Sequence, residues 1–144
     1  MASKREQVLS ALFTQLSTLA SATVHVYRNE DKPQKVVSGL IIMRDGASEE
    51  PEVLLSPLTY IYEHLVHLEV MVQAGTAAAR DSALDGLLSS IGTIITNNRS
   101  LGGLAEWVES NAPAFIEEPI EGAASVKLAQ ISIMVRFWTN DPLN

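Results

Sequence analysis

The run at residues 125–139 constrains the fold more than any other part of the chain. In an extended strand, Ile131, Ile133, Val135 and Phe137 point to one side, while Gln130, Ser132, Met134, Arg136 and Trp138 point to the other. A face this apolar should meet the helices. Residues 60–73 repeat the pattern, with Tyr60, Tyr62, His64, Val66, Leu68, Val70 and Val72 alternating with Glu63, His67, Glu69 and Gln73. At ~3.3 Å per residue, strands of this size extend about 46 to 50 Å. A compact chain of this length has a diameter of about 37 Å. Two outcomes are open: bulges bend these strands, or their ends reach out toward another subunit.

Two segments carry the other periodicity. Within residues 3–20, Val8, Leu9, Leu12, Phe13, Leu16 and Leu19 form one helical stripe, and Ser3 with Glu6 resembles a capping box. Thr76 starts a second helix running to about Asn97, with the stripe Leu84, Leu87, Leu88, Ile91, Ile94 and Ile95. Asp81, early in this helix, suits its positive end.

Shorter strands are expected at residues 23–28 and 39–44, joined by a polar loop at 29–35, and at 52–55, 106–109 and 114–117. Asp45-Gly46, Glu49-Glu50-Pro51 and Leu101-Gly102-Gly103 read as turns. The order is one helix, several strands, a second helix, then several strands. It predicts an α+β fold in one domain over residues 1–144, with a single mixed or mostly antiparallel sheet and both helices on one face.

The composition bounds the function. A chain of 144 residues with 47% apolar and 19% charged residues can form an ordered core. Ten basic against seventeen acidic residues leave a net charge of −7, which disfavours phosphate backbones and anionic lipid as direct partners. With no cysteine, thiolate chemistry is excluded and any metal falls to histidine and carboxylate. The first residues do not read as a secretory signal, and no run of ~18 apolar residues follows. The expectation is synthesis in the cytoplasm and no membrane partner.

His25, His64 and His67 are where acid–base or metal chemistry is first sought. On a strand, His64 and His67 face opposite ways. On a helix, Glu63 and His67 would share a face, yet no third ligand is identifiable and no HExxH motif is present. The sequence holds no nucleophile elbow, phosphate loop or dinucleotide fingerprint. Glu49-Glu50 and Glu117-Glu118 sit beside prolines and read as solvated rim. No catalytic residue, metal or cofactor is therefore expected, and an enzyme built around His64, His67 and Glu69 is the alternative. The half-apolar face of the last strand, with Gln130, Ser132, Met134, Arg136 and Trp138, has the composition of a protein interface and is the candidate subunit or partner surface.

Several segments resemble small tail proteins of prophages and gene-transfer-agent-like clusters. They are Lys4-Arg5-Glu6-Gln7-Val8-Leu9, Val26-Tyr27-Arg28-Asn29-Glu30 and Leu40-Ile41-Ile42-Met43-Arg44-Asp45-Gly46. Further along come Leu55-Ser56-Pro57-Leu58-Thr59-Tyr60-Ile61-Tyr62-Glu63-His64, Ala79-Arg80-Asp81, Leu101-Gly102-Gly103-Leu104, Glu121-Gly122-Ala123-Ala124-Ser125 and Thr139-Asn140-Asp141-Pro142-Leu143. In element order and size the chain is similar to the tail terminators of long non-contractile tails, such as minor tail protein U of lambda-like phages. That resemblance implies a sheet with helices against it and a ring of identical subunits, hexameric in the family. The ring caps the tail tube and offers a surface to the head-neck connector. The implied partners are other copies, the major tail tube protein and the head-neck proteins, and the implied location is the virion tail. A head-closure or neck-joining role is the nearest alternative.

Overall fold

The computed structural model describes residues 2–31, 38–118 and 126–144. Its elements in chain order are α1 (Lys4–Ser17), β1 (Val24–Arg28), β2 (Gly39–Ser48), β3 (Glu52–Leu55), β4 (Leu58–Gln73), α2 (Ala77–Asn97), β5 (Trp107–Ser110), β6 (Ala114–Glu118) and β7 (Val126–Thr139), with one 3-10 turn at Leu101–Gly103. The expected α+β class is the one that forms. A seven-stranded sheet runs β1-β2-β4-β7-β5, with β3 added to β4 and β6 to β7. Among the described residues only β1 and β2 pair in parallel; the remaining pairs are antiparallel.

The two long strands lie side by side at the centre. They pair without a break from Tyr60↔Thr139 to Gln73↔Val126, so no bulge shortens either against the other. β4 starts at Leu58, two residues before the expected start, because the turn at Ser56-Pro57 folds β3 back onto its first residues. That end of β4 runs past β2, whose pairing stops at Ser48↔His64. Beyond β2 that end is paired with β3 on one side and, as far as Tyr60, with β7 on the other, so strand length is taken up without a bulge between β4 and β7.

Both helices cover one face. Val8, Leu9, Leu12 and Leu16 of α1 and Leu84, Ile91 and Ile95 of α2 are buried against Ile41, Met43, Tyr62, Val66, Leu68, Val70, Ala129, Ile131, Ile133, Val135 and Phe137. Their starts are built as the capping residues suggest. Ser3 accepts from the Glu6 amide at 3.2 Å and Thr76 from the Ala79 amide at 3.1 Å. α1 stops at Ser17, short of residue 20, where the Ser17 and Thr18 hydroxyls donate back to the Phe13 and Gln15 carbonyls and support a local turn. Asp81 lies beyond the first turn of α2; its carboxylate accepts from Lys127 at 2.7 Å instead of serving the helix dipole. On the opposite face a smaller cluster of Leu40, Ile42, Met71 and Leu128 is buried.

The expected turn at Asp45-Gly46 is a β-bulge inside β2, which continues to Ser48 after a register shift between Arg44 and Ala47. Three groups hold Asp45 there. Its carboxylate takes two bonds from Arg28 (2.8 and 3.0 Å), its amide donates to Asn29 (3.1 Å), and its carbonyl accepts from His64. Arg28 also donates twice to Glu6 of α1, at 2.8 and 2.9 Å. One guanidinium thus ties α1 and β1 to the bulge. The polar loop expected at 29–35 lies largely outside the described residues, as do the segment 121–125 and the side chains of Glu117 and Glu118.

This cluster predicts an acid limb of stability. The Arg28 guanidinium, then the Ser10 hydroxyl, hold the Glu6 carboxyl at about 2, and Arg28 also lowers that of Asp45. Folded values below the unfolded ones of roughly 4.3 and 3.9 mean the stabilisation is complete above those values and is lost as pH falls toward about 2. Glu6 is half exposed, so screening keeps the effect modest. In urea titrations Arg28→Ala should be less stable than the parent by about 1–2 kcal/mol at neutral pH. The gap should narrow as pH falls to about 2; an unchanged gap there would mean that the ion pairs do not stabilise the fold.

Candidate interaction surface

The face of the sheet that carries no helix divides into two regions. Directly paired residues share a face, so register orders its side chains into rows across β4 and β7 that extend to β2, β3 or β5. Arg44, His67 and Ser132 form one row, Leu65, Met134 and Glu109 the next, then Glu63, Arg136 and Trp107, and last Glu52, Ile61 and Trp138. In the lower region Arg44, His67, Glu69, Asn111, Gln130 and Ser132 border a polar depression of about 680 Å³. The Arg44–Glu69 pair spans 3.5 Å, and His67 Nδ1 lies 3.2 Å from the Ser132 hydroxyl.

Arg136 centres the upper region. Its guanidinium reaches Glu106 at 3.0 Å, Glu63 at 3.1 Å and Glu52 at 3.5 Å, and Glu106 first, then Glu63, raise its pKa further. Trp107 (43% exposed) and Trp138 (48%) flank it. Each ring meets a cation at the rim: Arg99 lies 4.5 Å from the Trp107 centroid and Lys4 5.8 Å from that of Trp138. Aromatic rings around a guanidinium are the side chains most enriched at protein contacts.

Beside this region stands the β3–β4 hairpin, closed by Ser56 and a cis Pro57. Val53, Leu54 and Leu58 are 44–47% exposed and Leu55 is 82% exposed. All four residues of β3 are exposed, and among the described residues the strand pairs with nothing but β4. Sequence reading placed a strand here but missed its exposure. The available signal was the run of residues 53–61, which contains no charge at all in a chain of net charge −7.

The five residues expected at an interface do share the uncovered face, but they do not form one patch. Gln130 and Ser132 belong to the polar depression, whereas Arg136 and Trp138 belong to the aromatic region, with Met134 between. The histidines do not converge. His64 is buried on the helix side, where Nδ1 accepts from Ser48 at 2.7 Å and Nε2–H donates to the Asp45 carbonyl; burial lowers its pKa and keeps it neutral. His67 is exposed on the other face, and His25 packs edge-on against Tyr27 in β1, with centroids 5.9 Å apart. Of the alternative trio, only His67 and Glu69 share a face. Among the described residues no group of three His, Asp or Glu side chains is placed to share a metal ion, and no helix is long and apolar enough to cross a membrane.

No protein-family model matches the sequence, and no curated protein matches it. Among solved structures, the chain is similar to a chain in the virion of a native gene transfer agent particle, at 9% identity and TM-score 0.47, over 90% of this chain and 93% of that one. It is also similar to a sheath/tube terminator of an extracellular contractile injection system in the extended state, at 11% identity and TM-score 0.42. That alignment covers 94% of this chain and 57% of the other, so the chain spans little over half of that protein.

Proposed function

We propose that this chain is a non-catalytic structural subunit of a phage-type tail, a tail terminator whose copies close into a ring, six in number, at the end of the tail tube. The carrying observation is surface that one copy leaves uncovered: a hairpin apolar on both sides next to an aromatic face. Single exposed apolar residues are ordinary on monomers, whereas contiguous ones mark contact sites. The resemblance of the segments described above to tail proteins supplies the setting. A head-to-tail contact repeated about an axis closes into a ring with two chemically different faces. One face of such a ring can stop the tube and the other can receive the head-neck connector. The location is then the virion tail, with assembly in the host cytoplasm.

Native mass measurement at high concentration should find a species near six times the 15.6 kDa of one chain. That species should bind the ends of purified tail tubes in preference to heads. Single chains throughout would overturn the assembly reading; a preference for heads would move the protein to a head-closure role.

A further inference from the structure

We infer that the β3–β4 hairpin is an arm by which one copy of this chain holds the next, its apolar tip covering the neighbour's Trp107–Arg136–Trp138 face. The inference rests on the self-assembly proposed above and names the surface responsible. Leu54 lies toward the uncovered face of the sheet, while Val53, Leu55 and Leu58 lie toward the other, and no described element of the same chain packs on either side of the tip. A flat contact would cover only one side, so the occupant has to wrap the hairpin or receive it.

The backbone supports the same reading. On the other side of the sheet, the edge formed by β5 and β6 is interrupted by Asn111-Ala112-Pro113, which blunts it against pairing. β3 has no lysine, proline or bulge along its free edge. Its outward amides and carbonyls can pair with another chain, as in strand addition.

Charge selects the occupant. Copies with a net charge of −7 repel wherever acidic rim meets acidic rim. The face around Arg136 carries Glu52, Glu63, Glu106 and Glu109 against Arg136 at its centre and Arg99 and Lys4 at its rim, an excess of one carboxylate, whereas residues 53–61 carry no charge. The uncharged tip of the hairpin, residues 53–61, is therefore a part of this chain that can settle on the aromatic face of a second copy without like-charge repulsion. Leucines would meet tryptophan rings, and the carboxylates would stay at the rim beside Arg136. Hairpin against hairpin would stop at two copies and leave both tryptophans bare. Hairpin against face leaves every copy one arm to give and one face to fill, and around the ring proposed above that contact repeats from copy to copy.

The absence of native cysteine makes the test direct. Leu55→Cys and Trp107→Cys chains, mixed under mild oxidation, should form the mixed disulfide at least tenfold over either like pair. Predominance of like pairs, or no cross-linking in a mixture of normal oligomeric mass, would overturn the arm. In parallel, a Leu55→Asp/Leu58→Asp chain changes only exposed residues, should keep its circular dichroism, and should fall to a mass of 15.6 kDa. Phe115→Asp, exposed elsewhere, should leave the assembly intact. If the parent chain is itself a monomer, the self-assembly reading fails and the arm fails with it. If the parent assembles and the hairpin variant still does, only the arm is wrong.

Discussion

Gly46→Ala is expected to lower stability by about 3 kcal/mol, a large share of the roughly 5–15 kcal/mol typical of a folded chain. Two costs combine. Gly46 has φ +68°, where a side chain adds about 1–2 kcal/mol of steric strain. A β-carbon there would also lie 1.8 Å from the Leu65 carbonyl oxygen, a backbone atom that cannot give way without opening the β2–β4 ladder. The bulge would shift, and with it the contacts of Asp45 with Arg28, Asn29 and His64. Gly86→Ala and Gly92→Ala are the contrast. Both lie inside α2 with nothing within 4 Å of an added β-carbon, so each should raise stability by about 0.5–1 kcal/mol. Urea midpoints for the three variants decide the matter; a Gly46→Ala chain as stable as its parent would show that the bulge can be rebuilt without a glycine.

Phe137→Ala should cost about 3–5 kcal/mol. The ring is 1% exposed in the central strand β7 and packs against Tyr62 at a centroid distance of 5.8 Å. Around it stand the buried residues of both helices and the sheet, which cannot all close on the vacated space. Phe137→Leu, which keeps most of the volume, should cost less than about 1.5 kcal/mol. A loss below 1 kcal/mol for the alanine variant would mean that the core collapses freely around this position. Phe137 faces the helices and not the hairpin tip or the uncovered face, so a variant that still folds should assemble as the parent does.

Most of the architecture was legible because burial on one side writes a period into the chain. The stripes of α1 and α2 and the alternation in β4 and β7 each named the face that meets the core, and Ser3 and Thr76 marked the helix starts. Asp45-Gly46 was misread as the end of a strand because the same dipeptide serves a turn or a bulge. The choice depends on whether β4 lies alongside to take up the pairing again at Leu65 and His64. The interface candidates on β7 were correctly placed on one face, yet the most exposed apolar group, Leu54, Leu55 and Leu58, was passed over. Apolar residues in a short strand read as core by default, since exposure is a property of what packs beside them.

What the amino acids alone determined is periodicity, capping and charge: two helices, two long strands with one apolar face each, and an acidic surface without cysteine. These follow from side chains a few positions apart and need no distant partner. The tertiary structure decided how Arg28 joins α1 to the bulge across seventeen and twenty-two positions of sequence, and that the start of β4 runs past β2 and takes β3 as its partner there. Such features depend on contacts between segments far apart in the chain, where no local pattern records which surface is covered and which is left open.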